Sequence, residues 1–552
     1  MTEKSQSSIF RNKVLAYLGL IAAEIALLHI RVNTHLGPID DAYMTWRGAS
    51  NLANGLGFVY NIGEKVQPTS TPLYAILLAA INFITGIEPL NFFRPLNFSL
   101  DALTILFFWD LLRRGNCSTG MIISGTLSFA LSLFWAMASL QGMETPLTLF
   151  FLVLSCWSLS QRRFVLCSGF AGLLCVTRPE GVLFAGIISA MYFHRLSGKA
   201  YRPIILLFLP LAIWEIISIS YFGVIIPQSV IAKSIAYIRD PGIAFLNCLH
   251  AIFIALSAIS LSFIAWSLAL LGFALCLGVP MLRKQNQGIQ ALPVFTLALL
   301  LFYGIANPFM FFWYAVPLVP GTVLLLQLAI ESVAQLRIAH HLVFRILVPT
   351  LRLIPISVAF HYWIIPSWFI LTPADYPPWL TIRNNNECEA CSTIENQYRF
   401  LPGSFSTLGT VRREEVYQEI AQFIIEKYAT TQEQGAPKRE EQHIRVLAPE
   451  FGALGYNNRL HLISSLGHVN PEVLKYLPVR TRNPKTGNID SISKEMLQGI
   501  NPDLIVAMNS FMETLLADPW FHENYTLIKE FTGDLYGPKP ILVLARTGFG
   551  TP

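Results

Sequence analysis

Long apolar stretches separated by short polar breaks run from residue 12 to about 366. Each clear stretch comes close to the ~20 residues that a helix needs to cross the hydrocarbon of a bilayer. The pattern predicts spans at 12–30, 94–112, 118–138, 144–160, 164–178, 180–194, 203–221, 258–282, 289–306, 309–330 and 342–366. A shorter apolar run, 72–87, suits a re-entrant or juxtamembrane helix, or one further crossing. Lys4, Arg11 and Lys13 precede the first span, and no small-residue cleavage site follows it. That combination predicts a retained first helix with a cytoplasmic N-terminus. The Lys/Arg-bearing loops at Arg113/Arg114, Arg162/Arg163, Arg195/Lys199/Arg202, Arg283/Lys284 and Arg337 all fall on the cytoplasmic side if 72–87 does not cross. The odd number of crossings then puts the C-terminal region outside.

From about residue 367 the pattern changes to ordinary soluble frequencies of charged residues, Asn, Gly and Pro, which places a domain boundary there. The expected organisation is a membrane domain over 1–366, whose first outward loop is 31–71, and an extracytoplasmic domain over 367–552. In the second domain the apolar runs 443–448, 503–506 and 541–544 alternate with a helical pattern from Arg412 to Tyr428. This is the rhythm of a small α/β unit. The polar stretch Thr430 to Gln442 is a loop or linker.

Composition sharpens the picture. Of 552 residues, 53% are hydrophobic and 13% charged, with 38 Phe, 19 Tyr and 11 Trp. The mean hydropathy is +0.50. A soluble chain carries about 25% charged residues. The apolar surplus here is too large for a water-soluble core, so the chain is expected to be a polytopic α-helical membrane protein with the bilayer as its surroundings. A net charge of +5 without a basic block gives no footprint for nucleic acid.

Of the eight cysteines, Cys156, Cys167, Cys175 and Cys276 lie in spans and Cys117 and Cys248 at span edges, where a thiol is a small buried hydrophobe. Cys388 and Cys391 form a C-x-x-C just past the membrane, and an outward location favours a disulfide over a redox pair or half of a zinc site.

The polar residues near span ends are more informative. The first outward loop holds Asp40 and Asp41, two adjacent carboxylates that are costly beside a membrane unless solvated, capping or functional. With Asp40 as N-cap, Ala42, Trp46, Ala49 and Ala53 fall on one helical face and Tyr43, Arg47, Ser50 and Asn54 on another, which predicts a short amphipathic interfacial helix. Gly142-Met143-Glu144-Thr145, Thr177-Arg178-Pro179-Glu180-Gly181, Tyr221-Phe222-Gly223, Pro227-Gln228-Ser229 with Lys233, and Trp313-Tyr314-Ala315-Val316-Pro317 break the apolar pattern on the same side. Each charge taken singly is a structural residue at a helix end. Gathered on one face, Asp40, Glu144, Arg178, Glu180 and Lys233 are expected to line one polar cavity.

These residues resemble a known family. The Asp-Asp pair, Gly55-x-Gly57-Phe58-Val59-Tyr60-Asn61, Thr69-Ser70-Thr71-Pro72-Leu73-Tyr74, Gly142-Met143-Glu144-Thr145 and Arg178-Pro179-Glu180-Gly181 look like the GT-C integral-membrane glycosyltransferases. They are most similar to the mycobacterial cell-wall arabinofuranosyltransferases and their bacterial relatives. Pro449 to Tyr456 and Leu466 to Pro471 resemble the soluble domain of that branch. The resemblance implies a GT-C-like fold of about 11–13 transmembrane helices in a bacterial plasma membrane. It also implies transfer of a sugar from a polyprenyl-phosphate donor to a glycan, glycolipid or protein acceptor, with inversion. Two departures, Arg459-Leu460-His461 in place of an acidic residue and Phe222 in place of a second Tyr, touch the identity of sugar and acceptor.

By that resemblance Asp40 is the general base for the acceptor hydroxyl, and Asp41 orients Asp40 or the acceptor. A leaving lipid phosphate gathers negative charge, so fixed cations should stabilise the transition state. Arg178 and Lys233 are the first candidates, followed by Arg47 and Arg94. Glu144 and Glu180 would hold those cations or sugar hydroxyls, while Trp313 and Tyr314 would stack on sugar or lipid. The chain has no Asp-x-Asp signature, glycine-rich phosphate loop or His-rich cluster, so no cofactor or metal is expected, although a divalent cation near Asp40 and Asp41 is compatible with the sequence. The alternative class is a transporter or flippase of an envelope lipid-linked sugar. The absence of a repeat and the one-sided placement of the polar motifs favour catalysis.

Overall fold

The computed structural model describes residues 3–33, 37–196, 201–237, 242, 244–246, 248, 263–335, 346, 348–352, 407–429, 444–456, 458–481, 490–531 and 540–549. The expected boundary at 366/367, most of the span 342–366 and the pair Cys388/Cys391 lie outside these residues.

The described chain is mainly helical. Helices α1 (Glu3–Asn33), α4 (Pro89–Arg114), α10 (Tyr201–Phe222) and α13 (Gln287–Ala306) cover the spans expected there. They alternate with α5 (Thr119–Ala130), α6 (Leu133–Leu140), α7 (Thr145–Ser160), α8 (Phe164–Thr177), α9 (Gly181–Leu196), α12 (Phe263–Leu282) and α14 (Val319–Ala334). Among the described residues, five helical segments are long and apolar enough to cross a membrane: Phe10–Val32, Pro89–Arg114, Tyr201–Phe222, Gln287–Ala306 and Trp313–Ala334. Their outward faces carry Ile25, Ile205, Ile216 and Ile305 in the open, between 62% and 86% exposed, which only a lipid solvent tolerates in such numbers.

One expectation needs revision. The single span 118–138 is two helices, because the chain turns at Leu131-Ser132 and α6 restarts with Ser132 in extended backbone at its N-cap. The run 72–87 is a 14-residue helix, α3 (Pro72–Thr85), stopped by Gly86 at φ +70°. At 1.5 Å per residue it spans roughly 21 Å, short of the ~30 Å hydrocarbon core.

The chain divides into two compact units that interleave in sequence. The first comprises 1–35, 94–214 and 240–404. Here α1 is fastened to α4 by Trp109 Nε1, which donates to the Ala16 carbonyl at 2.9 Å, and by the buried ion pair Arg31 Nε–Asp101 Oδ2 at 3.0 Å. Helix α14 packs against α12, α13 and α5. Gly321 permits this: a Cβ there would sit 2.6 Å from the Leu292 carbonyl oxygen of α13.

The second unit comprises 36–93, 215–239 and 405–552, so the segment that follows α1 belongs with the C-terminal region. It holds α2 (Asp40–Ala53), α3, α11 (Gln228–Ala236) and α15 (Thr407–Tyr428). It also holds a five-stranded sheet of β1 (Arg445–Ala448), β2 (His461–Ser464), β3 (Leu504–Met508), β4 (Tyr525–Phe531) and β5 (Ile541–Arg546). The order is β2-β1-β3-β5-β4; β1 runs parallel to β2 and β3, and β5 antiparallel to β3 and β4. Three strands fall in the runs expected from their β-branched character. Strands β2 and β4 were not expected: the first is only four residues, and the second carries Lys529 and Glu530 on a largely exposed edge.

The sheet core gathers Leu447, Ile463, Ile505 and Leu544 with α16 (Lys494–Ile500), and Tyr525 is part of it with Trp520 packed alongside. Tyr456 is 4% exposed. These three aromatics therefore serve packing.

Candidate functional site

The Asp-Asp motif sits at the start of α2, but not as a cap. Ile39 is the N-cap residue and Asp40 the first helical one. The Asp40 carboxylate instead accepts from the backbone N–H groups of Phe451 at 3.2 Å and Ala453 at 2.9 Å, one per oxygen. This is the N-terminal edge of a helical turn, Gly452–Gly455, that follows β1. Gly452 is required there, since a Cβ would run into the Asp40 carbonyl oxygen.

The helix is buried from Ala42 to Ala49 on its polar as well as its apolar face: Tyr43, Trp46 and Arg47 are 4%, 0% and 4% exposed. Arg47 donates to the carbonyls of Gly455 at 2.7 Å and Leu460 at 2.9 Å, and its guanidinium lies 4.3 Å from the Tyr60 ring centre. Tyr60 donates to the Phe451 carbonyl at 2.6 Å, and Asn61 exchanges two hydrogen bonds with the Leu462 backbone. The motif segments at 40–47, 60–61 and 449–462 thus form one hydrogen-bonded body. An arginine whose charge is met by two carbonyls and an aromatic face is bridging these segments.

Glu450, next to this turn, is bonded by Arg413 at 2.7 Å and by the Tyr417 hydroxyl at 3.0 Å, both from α15. Arg413 also pairs with Glu414 at 2.7 Å. Burial pushes the Asp40 carboxyl up to about 6, and the nearby Glu450 charge adds to this against the opposing backbone hydrogen bonds and Arg413. Burial likewise raises Glu414 to about 7.

Asp41 has different neighbours. Its Oδ2 lies 3.1 Å from Lys233 Nζ on α11, with both side chains partly open to solvent. Burial acts to raise its pKa, but the Lys233 ammonium holds it below the ordinary value. His468 lies on the loop after β2. Its Nδ1 is 3.2 Å from Ser464 Oγ, and burial together with Lys233 depresses it to about 3. Gln228, at the start of α11, donates to the Gly467 carbonyl at 2.9 Å and ties that helix to the same loop. The sequence motif Leu466 to Pro471 made this loop conspicuous, but no local signal singled out His468.

The remaining predicted residues belong to the other unit. Arg178, at the C-terminal end of α8, is forked onto Glu180 at 2.9 and 3.2 Å and bonded to Glu144 at 2.7 Å. Tyr303 of α13 donates to Glu180 at 2.7 Å, and Arg178 lies 5.1 Å from the Tyr314 ring centre. Tyr314 stacks with Tyr303, and Trp313 with Phe311. Here one guanidinium serves two carboxylates, all three side chains at most 12% exposed. Arg94 is half-buried in the first turns of α4. Asp101 is a residue the sequence reading missed, although a carboxylate in the middle of an apolar span was itself the signal. Among the described residues, no three His, Cys, Asp or Glu side chains cluster as metal ligands would.

No protein-family model matches the chain. A segment is 25% identical over 229 residues to the terminal β-(1→2)-arabinofuranosyltransferase of Mycobacterium tuberculosis, covering 36% of this chain and 35% of that protein. The similarity therefore spans about a third of the curated relative. The crystal structure of ArnT from Cupriavidus metallidurans bound to undecaprenyl phosphate aligns with a TM-score of 0.50 at 12% identity, over 97% of this chain and 99% of ArnT. Its apo state aligns equally well. The arabinofuranosyltransferase AftD from Mycobacteria aligns at 0.47 with 13% identity, over 97% of this chain and 40% of AftD. The chain thus shares the polytopic fold of ArnT.

Proposed function

We propose that the protein transfers a sugar from a polyprenyl-phosphate donor to an extracytoplasmic glycan, glycolipid or protein, with inversion at the anomeric carbon and Asp40 as general base. The observation that carries this reading is the setting of Asp40. An ordinary aspartate is a weak base near neutrality, whereas a carboxylate raised to about 6 combines a large ionised fraction with useful basicity. Each carboxylate oxygen has two acceptor positions, and one backbone N–H on each leaves capacity to take a proton from a hydroxyl.

In this mechanism the acceptor hydroxyl oxygen attacks the anomeric carbon as its proton passes to Asp40. The bond from that carbon to the phosphate oxygen breaks, and the electron pair leaves with the polyprenyl phosphate. Lys233, held by Asp41, supplies positive charge toward the leaving phosphate. Arg178 is so fully engaged by Glu144 and Glu180 that its role in this scheme is to hold the loops after α6 and α8 in place. The fold shared with ArnT supports a lipid-phosphate donor, and ArnT itself has been seen with undecaprenyl phosphate. The proposal sets the N-terminus in the cytoplasm and the sheet domain outside a bacterial plasma membrane.

The test is purified protein with polyprenyl-phosphate sugars and an acceptor, following donor cleavage and donor binding separately. Cleavage that falls roughly 10²–10⁴-fold in folded Asp40→Asn, with donor binding retained, supports the assignment. Near-normal turnover by that variant overturns the base. Wild type that moves the lipid across vesicles without cleaving it establishes a transporter instead.

A further inference from the structure

Two polar side chains of α15, Arg413 and Tyr417, are directed at the stretch of chain that binds Asp40. Arg413 donates to Glu450 Oε1 at 2.7 Å and grips Glu414 Oε1 at 2.7 and 3.0 Å. The Tyr417 hydroxyl donates to Glu450 Oε2 at 3.0 Å, so both oxygens of Glu450 are held from one helix. The next residue, Phe451, gives its N–H to Asp40 Oδ2 at 3.2 Å, and Ala453 gives its own to Oδ1 at 2.9 Å. The Phe451 carbonyl accepts from Tyr60 at 2.6 Å. The stretch from Glu450 to Ala453 is thus fixed at its start by α15 and at the Phe451 carbonyl by Tyr60, and it meets Asp40 with two donors already aligned.

Burial and charge give this contact a second consequence. Glu414 is 1% exposed and Tyr417 fully buried, while Arg413 and Glu450 are each less than a fifth exposed. The charged and titratable groups that act with Asp40 are the carboxylates of Glu450 and Glu414, the phenols of Tyr43, Tyr60 and Tyr417, and the Arg413 guanidinium. Burial keeps all three phenols uncharged at neutral pH. Neighbouring carboxylates disfavour one another's ionised form, and Arg413 is the cation that grips two of them. On Asp40 the members of the Arg413–Glu450 pair act in opposite directions, Glu450 raising its pKa and Arg413 lowering it.

We propose that Arg413 and Tyr417 are positioning residues for the transfer reaction, acting through Glu450 to hold the N–H groups of Phe451 and Ala453 against the Asp40 carboxylate. The proposal rests on Asp40 as the general base and adds the side chains that keep that base in place and ionised. Neither side chain touches substrate in this scheme. A base has to lie within hydrogen-bond reach of the acceptor hydroxyl, and a displacement of about 1 Å can cost roughly 100-fold in rate. The groups that lock a reacting side chain therefore govern turnover without meeting the reacting atoms.

The experiment is a set of pH–rate profiles for the full chain with a polyprenyl-phosphate sugar and an acceptor. Arg413→Gln removes the cation and leaves Glu450 uncompensated, so the rising limb should move up by roughly 1 pH unit. The kcat/KM should then be about fivefold lower at pH 6, with the loss shrinking above pH 8. Arg413→Lys keeps the charge and should hold the limb near that of wild type. The double variant Arg413→Gln/Glu450→Gln removes both members of the pair, and the limb should return toward its wild-type position, because the two act on Asp40 with opposite sign. Tyr417→Phe deletes a hydroxyl without changing charge, so kcat should fall while the limb and the KM for donor stay in place. A contact that only stabilises the fold would lower turnover by one factor at every pH. That pattern in Arg413→Gln, or wild-type kcat in Tyr417→Phe, overturns the proposal, and Tyr417→Phe decides alone if Arg413→Gln does not fold. Near-normal turnover by folded Asp40→Asn overturns the base itself, a different result from an Asp40-dependent enzyme whose limb ignores Arg413.

Discussion

At the scale of single residues, two adjacent aspartates acquire different properties from their surroundings. Asp40 is pushed up to about 6 by burial and by Glu450, whereas the Lys233 ammonium keeps Asp41 ionised. The base must be deprotonated, so kcat/KM should rise as pH increases through about 6 and level off above it. Glu450→Gln removes a negative charge that raises Asp40, and should move this rising limb to lower pH, as a pH–rate profile would show. An unmoved limb would mean that another group controls it. His468 gives the opposite stability signature. Its folded value near 3 lies below the ordinary 6.5, so the unfolded chain takes up a proton first as pH falls. Stability is unaffected by this residue above pH 6.5 and declines below it, toward 3. His468→Gln should flatten that acid decline in a series of melting temperatures.

Among the elements, α2 shows how burial departs from a helical wheel. Its spacing divides apolar from polar positions, yet both faces are enclosed, because Arg47 finds carbonyl partners at Gly455 and Leu460 that sequence periodicity does not reveal. The helix is held against the 452–455 turn at a distance only glycine permits. Gly452→Ala should therefore separate Asp40 from its two N–H donors and lower turnover as strongly as Asp40→Asn, with the membrane helices still folded by circular dichroism. Turnover close to wild type would show that the contact is dispensable. Between α1 and α4, Arg31 and Asp101 form an ion pair with both side chains at 0% exposure. Asp101→Ala leaves a buried guanidinium uncompensated and should cost about 3–5 kcal/mol. Replacing both partners by leucine should be milder, and chemical unfolding of the two variants compares them.

On the scale of the whole molecule, α2, α3, α11 and the sheet domain form one unit although they lie up to hundreds of residues apart. Contacts such as Asp40 with Ala453 and Asn61 with Leu462 span more than 400 positions. Removing residues 405–552 should therefore abolish transfer to every acceptor, short or long, since it strips Asp40, Arg47 and Tyr60 of their partners. A truncated protein that binds lipid donor and still transfers to a short acceptor would restrict the sheet domain to holding long acceptors.

The sequence by itself determined the solvent of this protein. Helices that must satisfy their backbone in hydrocarbon need long apolar runs, and that demand is written locally, so α1, α4, α10 and α13 were legible along with strands β1, β3 and β5. The residues worth following were also visible, as carboxylates, cations and glycines that interrupt apolar stretches. Other features depended on partners far away in the chain. The break at Leu131-Ser132 is a local choice among packed helices that hydropathy averages over. The burial of Arg47, the bonding of Asp40 to a distant turn and the pairing of Arg178 with two glutamates came only from tertiary structure. The physical reason is that hydropathy is a property of each residue in its own segment, whereas a pKa or a hydrogen bond belongs to a pair, and only the folded chain decides which pairs meet.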